Sequence, residues 1–364
     1  MASEQRLFDA DGHVFERDAE IFEHLRPPFQ GRKELLRSAL FPAMDTWNRT
    51  ALSVAGGYVE GSTARRKDGE SGEEGTADQW LDVLDTAGID STVLYPTHAL
   101  GFGRIKEVDW AVALAQAYND WIYERFLRAS PRLNAIALLP IQDPAAAATE
   151  LRRVVTELGM VGGIMVAGHR RPFGDPQYYP VYEVAQELDT VIAVHAGGPG
   201  IRFEMLDRAI EARCLGHPSS LMVEMTSMMF SGVFDRFPRL RFSFMEGGVA
   251  WALFLAERMQ EAYEQWSVQA PELKREPKEH LTSGRIFFHC ELEEEILPYA
   301  VQYLGDQVLL YASDYPHLPP ARVYRTLAAF QARSDLSDAT KARILGENAR
   351  RLYKVQQPAA ALSA

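Results

Sequence analysis

Eight short apolar segments recur along the chain, and most are followed by a longer stretch whose apolar residues have helical spacing. Most segments are rich in Val, Ile, Leu and Phe and show little alternation, which is typical of strands buried on both faces of a parallel sheet. Eight βα units favour a closed (β/α)8 TIM barrel of the α/β class over an open sheet. The predicted strands are Arg6–Ala10, Ser91–Tyr95, Asn134–Leu139, Gly162–Val166, Thr190–His195, Arg241–Glu246, Arg285–Phe288 and Gln307–Ala312.

Helices are predicted in the intervals between these strands. The interval that begins at Pro144 carries both end signals, because Asp143 provides an N-cap, the proline occupies the first turn and Gly159 ends the helix. The predicted helices are Asp109–Arg128, Pro144–Gly159, Tyr179–Leu188, Ser219–Phe237, Ala250–Gln265, Glu291–Leu304 and Arg322–Ala332.

The length of 364 residues suits one barrel, and we predict a single domain over residues 1–355. Residues 17–78 separate the first two strands by more than a βα unit requires and are predicted to be an insertion. Its part at about 56–77 is rich in Gly, Glu, Ser and Arg, which predicts a mobile loop. Two roles remain open for this loop: it is either a lid over the catalytic face or a plain disordered insertion. Residues 356–364 are predicted to be a frayed tail.

Charge and cysteine content narrow the classes of function. The formal net charge is -12 and the pI is about 5.3, which argues against nucleic acid or an anionic membrane as the main partner. Because the chain has no run of 18 apolar residues and no signal-peptide pattern, we expect a soluble cytoplasmic protein. The two cysteines, Cys214 and Cys290, are expected to be buried free thiols rather than a disulfide.

Five of the eight predicted strands end on side chains that can bind metal or transfer protons. These side chains point into the mouth of a parallel barrel, where barrel enzymes place their chemistry. Each residue alone has an ordinary explanation as a turn former or a hydrogen-bonded loop residue, but their joint position at one face favours a functional site. The residues are Asp11 and His13 on strand one, His195 on strand five, Glu246 on strand six, His289 after strand seven and Asp314 on strand eight.

The spacing on strand one predicts a metal site. Asp11 and His13 project to the same side of an extended segment, so both side chains can bind one ion. With His195 and Asp314 they form a set of two imidazoles and two carboxylates, which suits Zn²⁺ and is compatible with Mn²⁺ or Fe²⁺. Such an ion lowers the pKa of a bound water from 15.7 to about 7.

Six sequence motifs of the chain resemble motifs of a known family and occur in the same order. The chain is similar to the aminocarboxymuconate-semialdehyde decarboxylase-like branch of the amidohydrolase superfamily over most of its length, apart from Arg32–Ala77 and the tail. The resemblance implies that one divalent metal is held by Asp11, His13, His195 and Asp314. The motifs are Asp9–Val14, Val93–Thr97, Leu138–Pro144, Glu246–Gly248, Ser313–His317 and Gly346–Tyr353.

The strand-six residue departs from the family pattern. The family often carries a catalytic histidine before the strand-six glycines, and this chain has Glu246 there. A third carboxylate beside one divalent ion is expected to be a protonated acid or base with a raised pKa, an extra ligand, or a structural residue that binds the amides of Gly247 and Gly248. We predict catalytic roles for Asp314, Glu246 and His289, although His289 could equally be a packed rim residue.

Two further histidines are predicted to contact substrate. His98 ends strand two at the same mouth, and His317 could bind substrate or brace Asp314. The sequence predicts no role for His24, His169, His217 and His280. Loop arginines could bind a substrate carboxylate, but the sequence does not choose among Arg104, Arg170, Arg171 and Arg202.

The resemblance implies a metal-dependent enzyme that acts on a small carboxylated or phenolic molecule. Decarboxylation by a carbon–carbon lyase is preferred, because this branch favours it. The alternative is hydrolysis of an amide, ester or lactone by a metal-bound hydroxide, and a third hypothesis is a non-catalytic binding or scaffold barrel. Relatives are frequently dimers, so a homodimer is also expected.

Overall fold

The computed structural model describes residues 6–37, 39–42, 75–169, 171–197 and 209–355. Its described residues form eight strands, which pair in parallel in the order of the sequence. The strands are β1 Leu7–Val14, β2 Ile89–Pro96, β3 Leu133–Leu138, β4 Gly162–Val166, β5 Val191–His195, β6 Arg241–Met245, β7 Ile286–His289 and β8 Leu309–Leu310.

The sheet closes between its first strand and the segment that follows its last. The amide of Ala10 donates to the carbonyl of Tyr311 at 3.0 Å, and the amide of His13 donates to the carbonyl of Tyr315 at 2.7 Å. The predicted (β/α)8 TIM barrel is therefore confirmed. Closure places the ends of β1, β5, β6 and β8 around one mouth.

Helices surround this sheet, with their buried faces against it. They are α1 Asp18–Glu23, α2 Ala77–Ala87, α3 Val108–Ile122, α4 Pro144–Glu157, α5 Tyr179–Glu187, α6 Ala209–Phe230, α7 Val233–Arg236, α8 Ala250–Trp266, α9 Pro277–Leu281, α10 Leu297–Leu304, α11 Pro320–Gln331, α12 Asp338–Ala342 and α13 Asn348–Tyr353.

Two predicted strands differ most from the observed bounds. β1 continues beyond Ala10 to Val14, so Asp11 and His13 lie within the strand, and its pairing with β2 shifts between Asp9 and Gly12. The predicted last strand, Gln307–Ala312, is reduced to Leu309–Leu310 because its start forms a 3₁₀ turn.

Two predicted helices begin six or more residues from their expected start. The helix expected at Ser219–Phe237 begins ten residues earlier, and it is divided near Gly232, whose φ of 67° is left-handed. The helix expected from Glu291 begins at Leu297, and Glu294 in the preceding turns accepts hydrogen bonds from the backbone amides of Val249 and Ala250.

A buried tryptophan packs against the first strand of the barrel. Thr76 and Gln79 form a capping box at the beginning of α2. This helix places the indole of Trp80 against Gly12, and its Nε1 donates to the carbonyl of His13 at 3.0 Å. A β-carbon at Gly12 would lie 2.2 Å from the indole, so strand one can approach the helix only because this residue is glycine.

Both cysteines are free, as predicted. Cys290 is buried, but Cys214 is exposed, so its predicted burial was wrong; it lies on α6 at the rim of the barrel. No helix in the described part of the chain has the length and apolar character needed to cross a membrane.

The insertion is described only at its two ends. These are a first part with α1 and a 3₁₀ turn at Lys33–Arg37, and a last part in which Thr76 caps α2. Residues 43–74 and 356–364 lie outside the described residues, so the mobile loop and the frayed tail stay predictions.

Candidate metal centre and active site

Three predicted ligands converge at the mouth of the barrel. Asp11 and His13 come from β1 and His195 ends β5. His13 Nε2 lies 3.5 Å from Asp11 Oδ1, and His195 Nε2 lies 3.3 Å from Asp11 Oδ2. One ligand atom from each residue fits within 4.8 Å of the others, and all three side chains are buried. This spacing allows all three to bind a single ion.

The fourth predicted ligand approaches from the turn after β8. Asp314 Oδ1 lies 3.7 Å from His13 Nε2. The backbone of Asp314 is left-handed, with φ of 53°, a conformation that costs free energy for a non-glycine residue and is found preferentially at functional sites. The turn thus directs this carboxylate toward the histidine of β1.

Backbone carbonyls orient both imidazoles. His13 Nδ1 lies 2.9 Å from the carbonyl of Pro96, and His195 Nδ1 lies 2.6 Å from the carbonyl of Ala196. A carbonyl only accepts, so both Nδ1 atoms carry a hydrogen, and in the neutral rings Nε2 presents a lone pair. Metal-binding histidines are commonly oriented in this way.

Two atoms of the cluster test whether a cation fits. Asp11 Oδ1 and His195 Nε2 are buried and have no hydrogen-bond partner among the described residues. Buried polar atoms are almost always paired in folded proteins, so these two require a partner. A divalent cation between them satisfies both, and the mixed nitrogen and oxygen donors suit such an ion.

Burial and the Asp11 charge act differently on the two imidazoles. Burial, with the neighbouring His317 ring, lowers the pKa of His13 to about 4, so this ring is neutral at pH 7. Burial also acts to lower the pKa of His195, but the adjacent Asp11 carboxylate raises it to about 9. A cation at Asp11 would offset the charge that favours protonation of His195.

A second buried carboxylate, that of Asp9, binds the segments next to the predicted ligands. Asp9 accepts hydrogen bonds from the hydroxyl of Thr92 at 2.8 Å and from the hydroxyl and amide of Ser313 at 2.7 and 2.8 Å. Burial raises its pKa to about 6. Asp9 thereby ties β1 to β2 and to the turn that carries Asp314.

His317 lies against the fourth ligand. Its Nδ1 lies 2.7 Å from Asp314 Oδ1, its Nε2 lies 2.8 Å from Thr97 Oγ1, and its ring stacks on His13 at 4.2 Å. His13, Asp314 and His317 could also hold an ion by distance alone. Since both ring nitrogens of His317 are already engaged, this geometry favours the brace for Asp314 over a ligand to a second ion.

The strand-six glutamate points toward the metal cluster. Glu246 has a left-handed φ of 67°, and two left-handed glycines follow it. Its Oε2 lies 3.8 Å from His195 Nδ1, and its Oε1 lies 3.1 Å from His217 Nδ1. The amides of Val249 and Ala250, just beyond the glycines, bind Glu294 instead. Sequence reasoning had not identified Glu294, because its contact spans more than forty residues.

A cavity of about 280 Å³ opens beside the cluster. Its wall includes Asp11, Asp314 and Glu246, together with His217, to which the sequence analysis assigned no role. The only local signal for His217 is the sequence Gly-His-Pro at 216–218, where a helix-breaking proline follows a histidine inside a helical pattern.

The other predicted residues lie at different depths. His289, the last residue of β7, lines the cavity and is buried, and neither ring nitrogen has a hydrogen-bond partner in the described part of the chain. His98 lies at the rim, about half exposed, with Nδ1 3.7 Å from Glu16 Oε2, and it is not among the cavity-lining residues.

The loop arginines do not supply a clear anion site. Arg171 pairs with Asp175 at 2.9 Å, and Arg104 ends the 3₁₀ turn after β2. Neither lines the cavity, and Arg170 and Arg202 lie outside the described residues.

A mixed histidine and carboxylate cluster at the carboxyl ends of eight parallel strands defines a metal-dependent barrel enzyme. The chain belongs to the amidohydrolase family, whose model matches residues 9–355. The predicted resemblance is thus confirmed.

Three similar proteins illustrate the family. The 2-amino-3-carboxymuconate-6-semialdehyde decarboxylase of Dictyostelium discoideum is 26% identical over 287 residues, 74% of each chain. The 5-carboxyvanillate decarboxylase of Sphingomonas paucimobilis has a TM-score of 0.75 at 23% identity, covering 97% of this chain and 100% of that one. A dihydroxybenzoic acid decarboxylase from a Polaromonas species, with bound manganese and the inhibitor 2-nitroresorcinol, has a TM-score of 0.69 at 19% identity, covering 99% and 100%.

These relatives bear on the predicted chemistry. The similarity in sequence to a decarboxylase supports a metal-dependent carboxy-lyase over a hydrolase, which was the preferred prediction. The manganese in one neighbour and the cluster described above support a divalent metal.

Proposed function

We propose that this protein removes the carboxyl group, as CO₂, from a small hydroxylated aromatic carboxylate. The observation that carries this proposal is the pair of buried, unpartnered ligand atoms, Asp11 Oδ1 and His195 Nε2, beside a cavity at the barrel mouth. The named substrates of similar proteins are carboxylates of this kind. A cavity of about 280 Å³ lies at the lower end of ligand-pocket volumes, which suits one aromatic ring.

The residues of the chain have separate tasks in this proposal. Asp11, His13, His195 and Asp314 would hold one divalent cation. The cation would supply a Lewis acid for the substrate carboxylate and an adjacent oxygen. The ring carbon must accept a proton when CO₂ leaves, and the cavity wall contains side chains that can donate one.

The remaining predicted roles stay proposals. Asp314, Glu246 and His289 all line the cavity, so each is placed to exchange a proton with a bound molecule. His317 is proposed to act on substrate through Asp314, which it contacts at 2.7 Å. A substrate contact by His98 requires a molecule that reaches the rim.

A panel assay tests the proposed function. Metal-loaded protein is incubated with 2,6-dihydroxybenzoate, 5-carboxyvanillate and 2-hydroxybenzoate, and CO₂ release is measured. We expect release from at least one compound, and none after chelation or in Asp11→Asn. Cleavage of esters, amides or lactones without any CO₂ release would favour the hydrolase alternative instead.

The metal, assembly and location are finer proposals. We propose zinc as the native ion, with manganese or iron as alternatives, to be decided by elemental analysis of protein purified without added metal. A homodimer is proposed because Trp266 and Tyr299 expose more than half of their side-chain surface, and light scattering in solution tests it. A cytoplasmic location is proposed from the sequence pattern alone.

A further inference from the structure

His217 is a cavity-wall histidine that the proposed function leaves without a task. It lies on α6, outside the eight strands, with Nδ1 3.1 Å from Glu246 Oε1. Its side chain is 23% exposed, so the ring is largely enclosed but still reaches solvent. With Nδ1 directed at Glu246, Nε2 is the ring nitrogen left for a molecule in the cavity.

The local sequence holds this part of α6 against the turn after β6. Pro218 has no amide hydrogen inside the helix, and the hydroxyl of Ser220 donates to the carbonyl of His217 at 2.8 Å. A β-carbon at Gly247 would lie 3.5 Å from the Cα of Pro218, which is van der Waals distance, so helix and turn are in direct contact. The left-handed φ of 83° at Gly247, a conformation that favours glycine, shapes the turn that places the glutamate beside the histidine.

The pair also connects to the metal cluster. Glu246 Oε2 lies 3.8 Å from His195 Nδ1, and His195 Nε2 lies 3.3 Å from Asp11. The glutamate occupies the strand-six position at which the family pattern carries a histidine. His217 thus places an imidazole on this side of the cavity from helix α6, and the carboxylate of Glu246 lies next to its Nδ1.

We propose that His217 Nε2 donates the proton to the ring carbon that loses CO₂, and that Glu246 is a positioning residue that holds the imidazolium through Nδ1. This inference rests on the proposed function. The N–H bond of His217 breaks as a C–H bond forms at the carboxylated carbon. The C–C bond to the carboxylate then breaks, its electron pair returns to the ring, and CO₂ leaves. Neutral His217 regains a proton from water, which its partial exposure allows.

The test compares His217→Gln, His217→Ala and Glu246→Gln with His24→Gln, a change at the C-terminal end of α1 that does not touch the cavity wall. Manganese-loaded proteins are assayed with the benzoate that wild type decarboxylates. We expect kcat to fall about 100- to 1,000-fold in both His217 variants, the contribution typical of a positioned acid. Manganese content and the Kd of 2-nitroresorcinol should stay within about threefold of wild type, as expected when only the acid is removed.

Two further readouts separate proton donation from a structural role. Added imidazoles should restore kcat to His217→Ala with a rate that depends on the pKa of the added imidazole, and they should not restore Glu246→Gln. In wild type, bound 2-nitroresorcinol should protect His217 from carbethoxylation by diethyl pyrocarbonate, measured by mass spectrometry.

The outcomes distinguish the two proposals. If wild type and His24→Gln release CO₂ while both His217 variants keep kcat within about threefold, the assignment of His217 is wrong and the proposed function stands. If the loss instead appears in His289→Gln and not in the His217 variants, His289 is the donor. If wild type releases no CO₂ from any compound, both proposals fall.

Discussion

Gly12 lies between Asp11 and His13, the two predicted metal ligands of β1, under the indole of Trp80. The structural requirement for glycine at this position comes from helix α2 behind it. A β-carbon there would lie 2.2 Å from the indole and 2.7 Å from the hydroxyl of Thr92. Trp80 is fully buried, so it cannot move aside.

Gly12→Ala should therefore destabilise the protein by about 3 kcal/mol or more, at the upper end for overpacked cores. Thermal unfolding of the metal-free protein measures the loss. Gly216→Ala is the matched control, because a β-carbon at that helical position meets no atom within 4 Å and alanine favours a helix. Equal unfolding temperatures for the two variants would contradict the assigned contact.

His317→Gln tests the brace on Asp314. Glutamine lacks the ring that joins Asp314 Oδ1 and Thr97 Oγ1, so the carboxylate should lose its fixed orientation. We expect manganese affinity to fall about 10- to 100-fold, as is usual when a group behind a ligand is removed. Titration calorimetry measures it, with His24→Gln as control. An unchanged affinity combined with a raised KM would support the substrate-binding role instead.

At this scale, strand-end position and residue type were enough to predict that Asp11, His13 and His195 converge and that Asp314 lies beside His13. The distances do not follow from sequence, because they depend on barrel closure. His217 and Glu294 were missed for a physical reason. They reach the site from a helix and from a loop after β7, and no periodic pattern indicates where such segments cross the barrel mouth.

Helix α6 is joined to the loop after β4 by a buried carboxylate. The carboxylate of Glu224 accepts a hydrogen bond from the amide of Phe173 at 2.7 Å, and the residue is almost fully buried. Burial raises its pKa to about 7. The folded protein therefore binds this proton more tightly than the unfolded chain, so the contribution to stability is fully present below the usual glutamate pKa. It is lost as the pH rises toward 7.

Glu224→Gln should remove this pH dependence. Between pH 4.5 and 7.5, wild type should lose up to about 3 kcal/mol of stability relative to the variant, because each unit of pKa shift corresponds to about 1.4 kcal/mol. Denaturant unfolding at several pH values measures the difference. A wild-type stability that rises relative to the variant over this interval would show that Glu224 is ionised in the folded state.

Among the elements, predicted β4 was reproduced at both ends, and the predicted start of α4 was correct because its cap and proline are local signals. The predicted bounds of strands and helices were wrong where contacts with residues distant in the sequence determine them. β1 is extended by pairing with β2 and with the segment after β8. α10 begins later than predicted, and Glu294 before it binds a backbone amide at the start of α8.

At the scale of the whole molecule, the predicted metal ligands come from strands that are far apart in sequence. A cation that binds Asp11, His195 and Asp314 together binds only the folded chain, and binding of that kind raises stability.

Addition of manganese to chelator-treated protein should raise the unfolding temperature by a few degrees, since a ligand at about 100 times its Kd adds about 2.7 kcal/mol. Differential scanning calorimetry checks this. Asp11→Asn should respond little to manganese or chelator. A wild type indifferent to both would exclude the proposed ion.

The exposed thiol on α6 gives the cavity a chemical reporter. Cys214 lines the cavity wall, and the other cysteine, Cys290, is buried with a pKa raised well above its usual value by burial. A thiol reagent should therefore label one position, three residues before His217. Its rate of alkylation would then measure how fully the barrel mouth is occupied, without any turnover.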